Sequence, residues 1–149
     1  MKYSNAVTKI LAMALCAISL TACTTPSQVY WDHKVKELCE KDGGVTVFEK
    51  VELTKSEKAK LRIAPSKATS ISSDYYLEFN DEVINDDPKV RKSVGYLYRN
   101  SDQKLIAKQM YYSRVGGDLV PIDNPSSYNC DMAGVSTNIE KAVFIIKGE

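Results

Sequence analysis

A single histidine, His33, is all that this 149-residue chain offers, and that scarcity removes whole classes of chemistry. Ser-His-Asp or Cys-His catalysis would have to run through one imidazole. One histidine without any Cys-x-x-Cys pair cannot complete a zinc site. No glycine run matches a phosphate loop, and the acidic residues of 81–87 lack the ligand spacing of a calcium loop. Neither sign of charge is in excess: 20 Lys and Arg against 19 Asp and Glu leave a net charge of +1. That balance gives no electrostatic case for nucleic acid or anionic lipid. Long hydrophobic runs are missing as well. The apolar stretch 10–20 is 11 residues, where a membrane-crossing helix needs roughly 20, and the longest later run is 142–146. No cofactor and no metal are expected.

What is present begins with an address. Lys2 and Lys9 precede the uncharged stretch 10–20, and small residues follow it up to Cys23, the layout of a secretory signal. Leu20-Thr21-Ala22-Cys23 resembles the lipobox of bacterial lipoproteins. That resemblance implies cleavage before Cys23, residues 1–22 as signal peptide, and acyl chains such as palmitate on Cys23. At about 0.8 kcal/mol per buried methylene one chain is marginal, whereas several hold firmly. The competing reading is an ordinary secretory signal cut near Ala22, with Cys23 a free thiol; the complete four-residue match favours the lipobox. Thr24, standing where an aspartate would favour inner-membrane retention, implies the outer membrane of a Gram-negative envelope.

Cleavage leaves 18 basic against 19 acidic residues, since Lys2 and Lys9 depart with the signal. The remaining chain suits one domain with a real core, spanning 31–149, after a lipidated cysteine and a short tether or helix start over 23–30. Cys16 is removed and Cys23 acylated, so Cys39 and Cys130 remain as an even pair in an oxidising compartment and are expected to form a disulfide.

Thr25-Pro26-Ser27-Gln28 reads as a helix start, with Thr25 as N-cap, proline in the first turn and glutamine completing a capping box. Trp31, Val35, Leu38 and Cys39 form its apolar stripe, and Gly43-Gly44 its stop. The period then becomes two: Val45, Val47, Val51 and Leu53 share one face of a strand, interrupted by Phe48 on the polar face and Glu49 on the apolar one. Thr54-Lys55-Ser56-Glu57 predicts a second capping box, and 64–74 an exposed loop. Tyr75, Leu77 and Phe79 mark a short strand before an acidic turn at 81–87. Val90 to Tyr98 and Leu105 to Tyr112 form the clearest hairpin, and 139–146 a last strand. The expected fold is α+β, with an N-terminal helix packed on a single antiparallel sheet of about five strands.

Leu38-Cys39-Glu40-Lys41-Asp42-Gly43-Gly44 with Val47-Phe48-Glu49-Lys50-Val51, and Tyr112-Ser113-Arg114-Val115-Gly116-Gly117-Asp118 with Ser126-Ser127-Tyr128-Asn129-Cys130, resemble segments of small uncharacterised Gram-negative envelope lipoproteins. The resemblance implies fold and address, with no activity attached.

Candidate chemistry is sparse. His33 lies off the helix stripe and reads as a surface residue. Glu49 on an apolar face would have a raised pKa if buried, as a general acid needs, whereas a salt bridge or a bulge would make it structural. Asp42 and Asp118 sit beside glycine pairs and read as turn residues. Nine tyrosines offer either cross-strand stabilisation or an exposed binding surface, with Tyr76, Tyr98 and Tyr112 the candidates. The functional expectation is a non-enzymatic envelope module, anchored to the membrane by lipid and binding an envelope protein or glycan. The alternative is an enzyme acting on cell-wall glycans or an inhibitor of a lytic enzyme.

Overall fold

The computed structural model describes residues 24–64, 74–119 and 123–148; Cys23, the signal segment and residues 65–73 of the expected loop lie outside them. Helix α1 (Pro26–Asp42) opens at the expected cap. The Thr25 hydroxyl accepts from the Gln28 N–H at 3.1 Å and Gln28 Oε1 accepts from the Thr25 N–H at 2.9 Å. Two backbone donors at the helix entrance are thereby satisfied, and helix, not tether, follows from residue 26. The helix ends because Gly43 passes tightly over its last turn: a Cβ there would lie 2.6 Å from the Cys39 carbonyl oxygen, and Gly44 then takes a φ of +104°.

The strands are β1 (Gly44–Val47), β2 (Val51–Leu53), β3 (Ile63–Ala64), β4 (Tyr75–Asn85), β5 (Lys89–Arg99), β6 (Leu105–Val115), β7 (Ser127–Asn129) and β8 (Phe144–Ile146). Two short helices, α2 (Lys55–Lys60) and α3 (Ile139–Val143), lie among them. The main sheet has six strands, ordered β1-β6-β5-β4-β3 with β7 also paired to β6. Antiparallel β4, β5 and β6 are its body, each 11 residues long.

The fold is α+β, but three expectations are corrected. The sheet is mixed: β3 runs parallel to β4, and β2 pairs parallel with β8 in a separate two-stranded sheet. Parallel partners are joined by long connections, and local periodicity carries no sign of them. The single strand over 45–53 is two strands in different sheets. It breaks where Phe48 and Glu49 interrupt the alternation, both donating their N–H to the Ile106 carbonyl at 2.9 and 3.1 Å, so the chain bends out of the sheet. The final strand is helix then strand. Asn138 caps α3 by accepting from the Lys141 N–H at 2.8 Å, and Ile139 and Val143, four apart, are its buried residues; that spacing fits a helical turn as well as an alternating strand.

The acidic segment also departs from expectation, because β4 continues to Asn85 before it turns. Asp81 and Glu82 stay in the strand with cross-strand partners: Asp81 Oδ1 accepts from Ser93 Oγ at 2.5 Å, and Glu82 lies 3.5 Å from Lys92 Nζ.

Two cores lie on opposite faces of the main sheet and toward opposite ends of its strands. On one face α1 sets Val35 and Cys39 against Val90, Tyr112 and Cys130. On the other, α3 and β8 supply Ile139, Val143 and Phe144 against Tyr75, Leu97 and Ala107. Cys39 and Cys130 are joined in a disulfide with Cα atoms 5.3 Å apart, tying the end of α1 to the turn after β7. Among the described residues, this diagonal arrangement leaves the face opposite α1 uncovered near the middle of β4, β5 and β6.

Candidate functional site

A groove of about 360 Å³ lies on that uncovered face, lined by Phe79, Asp81, Ser93, Gln109 and Tyr111. Strand alternation puts all five on one side of the sheet, and register makes them neighbours: Phe79 faces Gly95, Gly95 faces Gln109, and Ser93 sits between Asp81 and Tyr111. Gly95 makes the groove. A Cβ there would come within 3.0 Å of Phe79 Cε1 and 3.4 Å of Gln109 Oε1, so the ring lies across bare backbone. Glycine in mid-strand often marks such a close approach. Phe79 is 52% exposed, an apolar plate ringed by a carboxylate, a hydroxyl, an amide and a phenol. Burial raises the Tyr111 phenol pKa, and the Asp131 charge adds to the shift, so its hydroxyl stays protonated and able to donate.

The tyrosines expected to form a binding surface lie elsewhere. Tyr76 and Tyr112 are 2% and 3% exposed, and Tyr98 is half-buried, stacked on Tyr76 with ring centroids 5.1 Å apart. The Tyr76 hydroxyl donates to Gln103 at 3.0 Å, and the Tyr112 hydroxyl donates to Asp42 at 3.1 Å. Burial, with that bond second, pushes the Tyr112 pKa up to about 12. These rings stabilise the sheet. Of the Tyr111-Tyr112 pair it is Tyr111 that faces the groove. Neither member of Tyr75-Tyr76 is exposed, because Tyr75 packs edge-on against Phe144 on the opposite face.

Glu49 is an ion-pair residue. Its carboxylate lies 2.6 Å from Lys104 Nζ and 2.5 Å from Arg99, which also forms a two-point pair with Asp102. The hydrogen bonds from Lys104, then Arg99, hold the Glu49 pKa below its usual value, the opposite of what a general acid requires. Asp102 is lowered to about 2, chiefly by Arg99. A nearby cavity of about 650 Å³ is bordered by Glu57, Tyr75 and Arg99. Two of its charged groups are engaged: Glu57 caps α2 through Thr54 at 2.7 Å, and Arg99 holds its two carboxylates. His33 is exposed on α1. No group of three or more His, Cys, Asp or Glu among the described residues is placed to hold a metal ion.

A buried polar cluster at the start of α1 escaped the sequence reading. Arg114, 3% exposed, meets Asp32 at 2.5 Å and also donates to the Gly116 carbonyl and, at 3.0 Å, to Ser126 Oγ. Gln28 donates to Asp118 at 2.9 Å and Ser126 Oγ at 2.8 Å, and the Thr25 hydroxyl donates to the Gly117 carbonyl. Bonds from Ser126, ahead of that from Gln28, hold the Asp118 pKa down. The signal was legible in retrospect: Gln28, Asp32, Val35 and Cys39 continue one helical stripe. These groups fasten α1 to the sheet and the 116–118 loop, and every one is occupied within the fold.

Fold and site together define a small disulfide-bonded α+β domain that presents a shallow mixed aromatic and polar groove on an open sheet face. Comparison with family models, curated proteins and solved structures finds no match. Function therefore rests on the residues themselves.

Proposed function

We propose that this chain is a lipid-anchored lipoprotein of the cell envelope, held in the outer membrane through Cys23, that works as a non-enzymatic binding module for an envelope glycan. The Phe79 ring lying over Gly95, with Asp81, Ser93, Gln109 and Tyr111 around it, is the observation that carries this reading. A sugar ring presents apolar C–H faces and a rim of hydroxyls. An exposed aromatic plate matches the faces, and carboxylate, hydroxyl, amide and phenol groups match the rim. The anchor is supported by Leu20-Thr21-Ala22-Cys23. No described helix is long and apolar enough to cross a membrane, and attachment through acyl chains needs none. The ionised state of Glu49 argues against glycan hydrolysis through that residue.

Two measurements test the proposal. Mass spectrometry of the membrane fraction should find acylated Cys23; recovery of wild-type protein as a soluble unacylated species overturns the anchor. Purified peptidoglycan sacculi should pellet the wild-type protein and release the Phe79→Ala variant. Failure of the folded wild-type protein to pellet overturns the glycan assignment.

A further inference from the structure

The geometry points to a second interaction surface, at the end of the domain where α1 begins, that lies against the lipid bilayer and orients the protein on it. This inference rests on the proposed acylation of Cys23. The β4–β5 turn, the start of α1 and the 116–118 loop converge there. A Cβ on Gly117 would sit 3.0 Å from Pro88 Cβ and 3.2 Å from Gln28 Cγ, and the Thr25 hydroxyl bonds the Gly117 carbonyl at 2.7 Å.

Elements meeting at this end carry four large apolar side chains turned to solvent: Val29 at 58%, Tyr30 at 60%, Ile84 at 40% and Leu119 at 71% exposure. Ile84 and Tyr30 border one shallow groove. Leu119 follows the Asp118 that Gln28 binds. Exposed apolar side chains are ordinary when scattered; clustered, they mark a contact surface.

The position of Cys23 in the sequence, two residues before the α1 cap, identifies the occupant. Thr24 stands immediately after Cys23, and Thr25 already caps α1 through the bonds that fix it to the 116–118 loop. An acyl-bearing Cys23 therefore leaves almost no slack between bilayer and domain, and the surface brought to the lipid is this apolar end. Tyr30 has the amphipathic character favoured at membrane interfaces. Charges around it are mixed, with Lys34, Lys92 and Glu82 bordering the same groove and Asp86, Asp87 and Lys89 at the β4–β5 turn, so apolar contact drives the docking and neutral lipid suffices. The Phe79 groove, on the sheet face opposite α1, is left free of the membrane.

Trp31, the only tryptophan, lies beside Tyr30 with ring centroids 5.2 Å apart and reports on this surface. Acylated full-length protein would be reconstituted in vesicles of phosphatidylcholine brominated on its acyl chains, alongside a Val29→Ser/Leu119→Ser variant and Leu119→Ser alone. Docking predicts strong quenching of Trp31 in the wild type and weaker quenching in both variants, with melting behaviour unchanged. Wild-type fluorescence no lower than in unbrominated vesicles overturns the docking, as does quenching that persists equally in the folded variants. The mass of the same sample reports acylation, so a missing anchor is recognised separately as failure of the lipoprotein reading.

Discussion

Replacing Asp32 by alanine leaves the Arg114 guanidinium inside the protein with only neutral acceptors. Arg114 is 3% exposed and Asp32 29%, so the two partners do not suffer equally. Breaking a buried pair by removing one partner costs about 3–5 kcal/mol, because the remaining charge is uncompensated. Gly116 and Ser126 still accept from Arg114, which places Asp32→Ala near the lower end. In Arg114→Met the carboxylate of Asp32 can reach water, and the loss is mainly hydrogen bonds worth about 1 kcal/mol each net. The two changes remove the same interaction, so the double variant should be more stable than additivity predicts, by about 1–3 kcal/mol. Guanidinium unfolding followed by Trp31 fluorescence, with the disulfide intact, measures all three. Effects that add to within about 0.5 kcal/mol would refute the coupling, and an Asp32→Ala variant as stable as wild type would refute the claim that the pair fastens α1.

Three further outcomes are expected. Replacing both Cys39 and Cys130 by serine should destabilise by at most about 4–5 kcal/mol on the chain-entropy account of a long loop, read as a lower denaturation midpoint that added reductant no longer changes. Asp102 is lowered from 3.8 to about 2 and Glu49 is lowered too, so their stabilisation is present above the unfolded pKa values and lost as pH falls through the folded ones. Melting temperature against pH should therefore drop between about pH 4 and 2, and less steeply in Arg99→Gln. Gly95→Ala should displace the Phe79 ring, since the added Cβ meets it at 3.0 Å, and weaken sacculus binding while the domain still melts cooperatively.

The parts legible in the sequence were those whose causes are local. Both capping boxes, at Thr25 and Thr54, form as their residue types predict; the stripe through Val35 and Cys39 is buried; and the cysteine pair is joined. What escaped depends on partners distant in sequence. β2 leaves the line of β1 because β8 waits nearly a hundred residues on, and no window around Val51 contains that information. Arg114 owes its charge partner to Asp32 on α1, 82 residues away in the sequence. The groove left one local trace, Gly95 within an otherwise apolar and aromatic alternation. The candidates Tyr76, Tyr98 and Tyr112 are covered, and alternation shows that strand neighbours face opposite ways but not which face is open. At Tyr75-Tyr76 both faces are covered.

Whether binding resides on the open sheet face is decided by side-by-side affinities for soluble peptidoglycan fragments of the wild type, Phe79→Ala, Tyr98→Ala and His33→Ala. Phe79→Ala is expected to lose roughly 2 kcal/mol or more of binding, as an aromatic anchor at an interface does, while folded Tyr98→Ala and His33→Ala bind as wild type. Unchanged affinity in Phe79→Ala, or loss on replacing His33, would contradict binding on that face.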